Sequence, residues 1–514
     1  MKKYLPFLAG FSFVAVVVAA IEYVTLKKTG GHFCYPLDDT FIHMAVSKNL
    51  ALHGNWGITS TGFVSTSSSP LFTIVLALFF KLFSVNILMP FIISCIGTLL
   101  TLVSMQQELE KHSQLTTTNK VICILLTLLA GAIPALTLLG MEHALQIAFT
   151  LFFVHSAASL LSAPEKKYLL PAVFWAVLMT ATRYENTFFI AGAFVLLTWQ
   201  KNLKAAFIIG IAGALPLVLF GIYSKMQGGY FLPNSVLIKG NQNLKFFLNG
   251  GMTLMQATAS ISGLVIIAII IAIRKIQAAS YDRDFWILSL FIIAALMHSV
   301  LASFGWFYRY EAYLIVLGSL HLSKIGLQWW QENGMKGLRK QIIPAGLFII
   351  MLYSLPVRGL NSMRNSIRAI YNIYEQQYQM GLFFKQYYKG ETVAANDIGA
   401  ISYLADLNTI DMWGLGNNAI AKARKGGYWN NDFIRKTVNE NHTRIAVMYD
   451  SWFDKDLPAN WTKVATWTMP YNYICGDIYV TFYSISANEA PLLKTNLASF
   501  APQLPGDIKV EYFK

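Results

Sequence analysis

Apolar runs of about 15 to 21 residues, long enough for a membrane helix, follow one another through the first two thirds of the chain and stop near Val357. They are continuous rather than alternating. A backbone in hydrocarbon must satisfy its polar groups within the segment, so the pattern predicts helices rather than a barrel. The predicted spans, about eleven in the sense of that length rule, are residues 4–24, 88–105, 120–138, 143–162, 168–182, 186–200, 205–223, 257–273, 284–304, 310–328 and 341–357. The N-terminal run has a charged start but no small-residue cleavage site and reads as a retained helix. Pro70 to Phe83 is short and ends near Lys81, which predicts a juxtamembrane helix or shallow hairpin arm. Beyond Val357 the sequence turns mixed and aromatic-rich. ETVAANDIGAISYLADLNTIDMWGLGNNAIA (391–421) reads as strand, Gly turn, helix, strand and loop, and 444–450, 461–469 and 477–485 read as further strands. The predicted organisation is a transmembrane domain over 1–357, with an external loop at 25–87, followed by an external α/β soluble domain over 358–514.

Charge changes the picture only in detail. Of the 514 residues 55% are hydrophobic and 13% charged, and the net charge of +14 does not indicate nucleic acid, because Lys and Arg fall mainly in the short loops between apolar runs. With Pro70–Phe83 not crossing, Lys2/Lys3, Lys111/Lys120, Lys166/Lys167, Lys201/Lys204, Arg274/Lys275 and Lys336/Arg339/Lys340 share one side, the cytoplasm. The opposite side collects residues 34–45, GMEHA (140–144), TRYEN (182–186), FLPNSVLIKG (231–240), WFYRYE (306–311) and the C-terminal domain, which predicts an inner-membrane protein with a periplasmic or extracellular domain. No Walker loop, nucleotide fingerprint or Cys-rich metal motif occurs, which argues against an ATP-driven pump.

Candidate chemistry lies in those outer clusters. Asp38 and Asp39, in DDTFIHMA (38–45), precede an amphipathic helical stretch; one carboxylate suits its N-cap and the other suits a general base or a cation site. His43 lies one turn after Asp39 and reads as a satisfied interfacial histidine, with no third metal ligand indicated. Glu142, Arg183 and Glu185 stand at the ends of apolar runs, where charges rarely lack a partner; Arg183 pairs with an acid or faces a phosphate. Arg309 and Glu311 repeat the pattern, and Lys239 adds a point charge beside Asn234. Asp397 and Asp411 end predicted strands, a place for ligands or for turn chemistry, and Trp413 could stack on a sugar ring. Cys34 and Cys475 are the cysteines outside predicted spans and are candidates for a disulfide.

The series DDTFIHMAVSKNLALHGNWGI, TSSSPLFTIVLAL, GMEHALQIAFTL, ATRYENTFF, YFLPNSVLIKG, RYEAYLI and NDIGAISYL…IDMWGLGNNAIA, in this order, resembles GT-C type integral-membrane glycosyltransferases. Within them it looks most like the cell-wall arabinofuranosyltransferase-like group, over about residues 35 to 421. Tyr184 stands where relatives are expected to carry Pro. The resemblance implies inverting transfer of a sugar from a polyprenyl-phosphate donor to a glycan, lipid or protein acceptor at the external membrane face. It implies Asp39 or Asp38 as catalytic base and Arg183, Arg309 and Lys239 at the donor phosphate. Glu142, Glu185, Glu311 and Asn234 would support them, with Asp397, Asp411 and Trp413 on the acceptor side. Such enzymes admit a divalent metal without all requiring one. The reading from a different class is a secondary transporter of a lipid or sugar, with Asp38/Asp39 as its coupling-ion site; the one-sided polar clusters and the lack of a visible repeat weigh against it.

Overall fold

The computed structural model describes residues 2–60, 62–239, 259–340, 353–453, 456–486 and 488–513. The chain divides into two compact units: one of 1–22, 91–219 and 241–364, the other of 23–90, 220–240 and 365–514. The loop after the first helix and the FLPNS segment therefore group with the C-terminal sheet.

The first unit is helical. Among the described residues, six helices are long and apolar enough to cross a membrane: Lys2–Lys28, Met89–His112, His143–Ser162, Leu203–Met226, Ser260–Gln277 and Arg283–Leu301. A seventh span results if the pair Thr117–Ala130 and Ile133–Leu139, bent by 51°, counts as one. The bend has a local cause. Gly131 and the left-handed Ala132 (φ 54°) interrupt the helix, and Pro134 starts the next. The predicted spans 168–182 and 186–200 form the helices Lys166–Thr182 and Thr187–Trp199, of 17 and 13 residues, separated by the turn that carries Arg183. The predicted span 341–357 lies mostly outside the described residues.

The second unit carries a mixed six-stranded sheet. Its strands are β1 (Thr392–Ala395), β2 (Asn408–Asp411), β3 (Ile445–Met448), β4 (Thr462–Thr468), β5 (Tyr479–Ser484) and β6 (Lys509–Tyr512), in the order β2-β1-β3-β5-β4-β6. β1 runs parallel to β2 and β3; the other pairings are antiparallel. Side chains alternate across a strand, so each strand feeds two cores. Val393, Ala395, Ile445, Val447, Trp467 and Phe482 pack with Phe383 and Phe384 on one side; Ala394, Ala446, Met448 and Ile410 pack with Ile420 and Ile434 on the other. The first core also takes in Ile42, Val46, Trp56 and Ile58, which is how the segment after the Asp pair is held. Pro70–Phe83 is a 14-residue helix. At 1.5 Å per residue it is about 21 Å long, too short for a hydrocarbon core of about 30 Å.

Candidate functional site

The Asp pair opens the helix Asp38–His53. Its N-cap is Leu37, which has no side-chain acceptor, so the expected capping of this helix by one of the two acids does not occur. Both carboxylates instead sit in the first turn, where the helix dipole favours negative charge. Asp38 serves another segment: Gly399 N–H donates to its Oδ2 (2.7 Å) and Ala400 N–H to its Oδ1 (2.8 Å), the first turn of helix Gly399–Ala405. Position 399 has to be glycine. A Cβ there would lie 2.2 Å from the Asp38 carbonyl oxygen and 2.7 Å from both carboxylate oxygens. Asp39 is half-buried, and one residue further along a helix its side chain leaves in a different direction.

Beside Asp38 lies Asp397. Gln377 Nε2 (2.7 Å) and the Tyr449 hydroxyl (2.5 Å) donate to its Oδ2. Gln377 belongs to a π-helical turn, Tyr374–Tyr378, that buries Glu375, Gln376, Gln377 and Tyr378; such turns recur at functional sites. Gln376 Oε1 accepts from Tyr449 (2.6 Å), and Asn396 Oδ1 accepts from the Tyr449 N–H (2.8 Å). Burial and the Asp397 charge push the Asp38 carboxyl up to about 8, against the pull of the Ala400 and Gly399 N–H groups. Tyr449 and Gln377 carry no signal in the sequence; each is one polar residue among aromatics or glutamines.

Asp411 is occupied by its own loop: Trp413 N–H donates to Oδ1 (2.8 Å) and Gly416 N–H to Oδ2 (2.5 Å). Its carboxyl is pushed up to about 6 by burial, partly offset by those donors. Trp413 is half-buried, its ring 4.8 Å from that of Trp452, with the Arg424 guanidinium 4.6 Å over it. Asn234, fully buried, donates to Asn418 Oδ1 (2.9 Å) and Leu415 O (3.4 Å), which docks the FLPNS segment on this loop. The Lys239 side chain lies outside the described residues. His43 meets Ser67 Oγ at 3.3 Å, the satisfied histidine that was expected.

Cys34 and Cys475 are not joined. Both are buried free thiols with separate acceptors: Cys34 donates to Tyr35 O (3.6 Å) and Cys475 to Gln377 Oε1 (3.3 Å). Burial pushes the Cys475 thiol well up, away from the thiolate that exchange requires.

In the helical unit, Arg183 pairs with both candidate acids. Its Nη1 donates to Glu142 Oε1 (2.8 Å), its Nε to Glu185 Oε2 (3.1 Å) and its Nη2 to Glu185 Oε1 (2.5 Å). Two carboxylates on one guanidinium leave a net negative triad, so a phosphate at Arg183 would compete with them. Arg309 is buried; it donates to Met141 Sδ (3.0 Å) and to the Tyr310 hydroxyl (3.3 Å). It follows an unusual turn in which Gly305 (φ 81°), Trp306 (37°), Phe307 (57°) and Tyr308 (62°) are all left-handed. Each such non-glycine residue costs about 1–3 kcal/mol and persists only where surroundings enforce it. The enforcement is visible. Glu311 Oε2 accepts from Gly305 N–H (2.7 Å), and Arg358 Nη2 donates to Tyr308 O (2.6 Å) and Glu311 Oε1 (3.3 Å). Arg358, a lone cation at the end of an apolar run, has no motif around it to mark it in the sequence.

Among the described residues, one group of His and carboxylate side chains has ligand atoms close enough to share a metal ion: Glu108, His155 and His321, in the helical unit. The Asp pair is not part of it.

Residues 367–483 match a family model described as a domain of unknown function, DUF8728. No curated protein matches the chain. Solved structures align with most of the chain. ArnT from Cupriavidus metallidurans bound to undecaprenyl phosphate is 11% identical with a TM-score of 0.55, over 93% of this chain and 99% of that one. The Archaeoglobus fulgidus oligosaccharyltransferase in complex with Zn and sulfate has a TM-score of 0.47 at 11% identity, over 93% of this chain and 74% of that one. The mycobacterial arabinofuranosyltransferase AftD has a TM-score of 0.38 at 11% identity, over 93% and 42%. The chain thus has an ArnT-like fold, with helices long and apolar enough to cross a membrane and a C-terminal mixed α/β domain.

Proposed function

We propose that the chain is an integral-membrane glycosyltransferase that moves a sugar, with inversion, from a polyprenyl-phosphate donor to a glycan, lipid or protein acceptor at the external membrane face, with Asp39 as general base. One observation carries the assignment of roles: both oxygens of Asp38 are engaged by the Gly399 and Ala400 N–H groups. Asp38 is then the positioning residue that ties the loop to helix 399–405, and the adjacent Asp39 takes the proton. The ArnT-like fold supports the substrate class, since that protein's structure holds undecaprenyl phosphate.

In the reaction the acceptor hydroxyl attacks the anomeric carbon as Asp39 removes its proton, and the sugar–phosphate bond breaks. The phosphate leaves with the bonding electron pair, and a cationic donor aimed at it lowers the barrier. Arg309, held on an enforced turn, is the primary candidate for that contact. Arg183, bound to two acids, is the secondary one, with Glu142 and Glu185 setting its orientation. Trp413 offers an aromatic face to the acceptor; Asp411 shapes the loop that carries it, and Asp397 fixes the surroundings of Asp38.

Purified protein titrated with undecaprenyl phosphate alone tests the substrate class. Saturable stabilisation in a thermal melt is expected, weakened at least tenfold in apparent affinity by Arg309→Gln. No stabilisation at any concentration would remove the polyprenyl-phosphate reading.

A further inference from the structure

A second polar centre lies in the helical unit, at the end of the helices that carries Lys111 and Arg274/Lys275, and the proposed transfer reaction makes no use of it. Glu108 and His321 are each 1% exposed on their side chains and His155 is 12% exposed. Three different helices, Met89–His112, His143–Ser162 and Ala312–Lys340, bring them together. His155 Nε2 and His321 Nε2 are 3.1 Å apart, His155 Nε2 is 3.7 Å from Glu108 Oε2, and His321 Nδ1 is 4.0 Å from Glu108 Oε1.

Two facts separate this cluster from an ordinary buried ion pair. The first is an orphan: among the described residues, His321 Nδ1 is buried with no hydrogen-bond partner. One imidazole must donate to the other across the Nε2–Nε2 contact, so His321 Nδ1 is left as an unmet donor or an unmet acceptor whichever tautomer is present. The second is preparation of the other ring, because Ser104 Oγ meets His155 Nδ1 at 3.2 Å, an outer contact that orients the ring with Nε2 toward Glu108 and His321. Ligand atoms around a tetrahedral ion at about 2.1 Å lie roughly 3.4 Å from one another, and one donor atom from each of these three residues lies within 4.8 Å of the other two, so a small inward shift of side chains would close the site on an ion.

We propose that Glu108, His155 and His321 bind a divalent transition metal of the zinc class, with His155 Nε2, a His321 ring nitrogen and a Glu108 oxygen as ligands. Imidazole and carboxylate suit that class. Metal entry at a ring nitrogen requires a proton there to shift to the other nitrogen of that ring, which for His155 is Nδ1, facing Ser104 Oγ; the bound ion then ties three helices together, which makes the site structural in consequence. The neighbouring cations set its strength. Arg283 Nη1 donates to both Glu108 oxygens (2.5 and 2.7 Å), and Lys324 Nζ reaches Glu108 Oε1 (3.1 Å) and Asp284 Oδ1 (2.5 Å). Arg283 and Lys324 therefore both compete with the ion for Glu108, while Asp284 is already in place to keep the Lys324 ammonium paired.

The test uses the purified full chain, stripped with chelator and titrated with zinc alone, with bound metal counted by mass spectrometry. One equivalent is expected to disappear in His155→Gln/His321→Gln, and Lys324→Met, which removes one of the two cations on Glu108, is expected to bind zinc at least tenfold more tightly than wild type. Zinc binding of equal stoichiometry in the double histidine variant, or no zinc in either wild type or Lys324→Met, would overturn the proposal. Because Lys324→Met retains all three ligands, a folding failure of the histidine variant leaves the second arm decisive.

Discussion

Asp38 and Gly399, 361 residues apart, meet through a 2.7 Å hydrogen bond from the glycine N–H to the carboxylate, at a separation no side chain at 399 would tolerate. Gly399→Ala puts a Cβ 2.2 Å from a backbone oxygen and must push the two segments apart. Overpacking of this kind costs about 1–3 kcal/mol or more. A lower melting temperature and lost transfer activity are expected, whereas Gly506→Ala, with nothing within 4 Å, leaves both unchanged. Equal behaviour of the two variants would show that the Asp38 clamp is not formed.

The Asp38 carboxyl, raised from 3.8 to about 8, gives stability a defined pH slope. Between those values the folded chain holds a proton that the unfolded chain has released, so stability falls as pH rises through the window and levels off above it. Glu375, raised to about 8 by burial, slopes the same way, so the difference between wild type and Asp38→Asn isolates Asp38. In melts from about pH 5 to about pH 8, wild type should lose more stability than the variant. Parallel curves would contradict the raised value.

Arg358 braces the left-handed turn at Trp306–Tyr308 through Tyr308 O and Glu311. Arg358→Met leaves Glu311 buried with its charge partner removed, a change that costs about 3–5 kcal/mol. A large drop in thermal stability is expected. Arg358→Met/Glu311→Gln should recover part of it, because no unpaired carboxylate remains. An Arg358→Met protein as stable as wild type would mean that the turn is held otherwise.

All four cysteines are free thiols. Protein unfolded without reductant should take up four equivalents of a maleimide label. Two equivalents, with Cys34 and Cys475 protected, would restore the disulfide that their placement in the sequence suggested.

The sequence made some of this legible and hid the rest for identifiable reasons. The strands β1 to β5 were readable because VAA, TID, IAVM, TKVATWT and YVTFYS are β-branched or aromatic runs bounded by turn residues. β6, short and polar at the sheet edge, carries no such pattern. The Asp pair was readable as an unusual charge beside a membrane helix, but the engagement of Asp38 by Gly399 and Ala400 was not. It depends on Leu37 holding the cap position and on Gly399 arriving from the far end of the chain. Arg183 pairs with Glu142 and Glu185, a choice between acid and phosphate that spacing alone does not make. The turn at Trp306–Tyr308 has no local signature, since bulky aromatics are poor candidates for positive φ. An apolar run also hides an internal break: the predicted span 120–138 forms two helices divided at Gly131–Ala132.

The most direct test of the central claim is mass spectrometry of envelope glycans, glycolipids and glycoproteins from a strain lacking the gene, complemented with wild type, Asp38→Asn or Asp39→Asn. The deletion is expected to remove a glycosyl modification and wild type to restore it, whereas Asp39→Asn, expressed at the wild-type level and melting like it, should not. Full restoration by Asp39→Asn, or a deletion strain with no altered glycan, would contradict the claim.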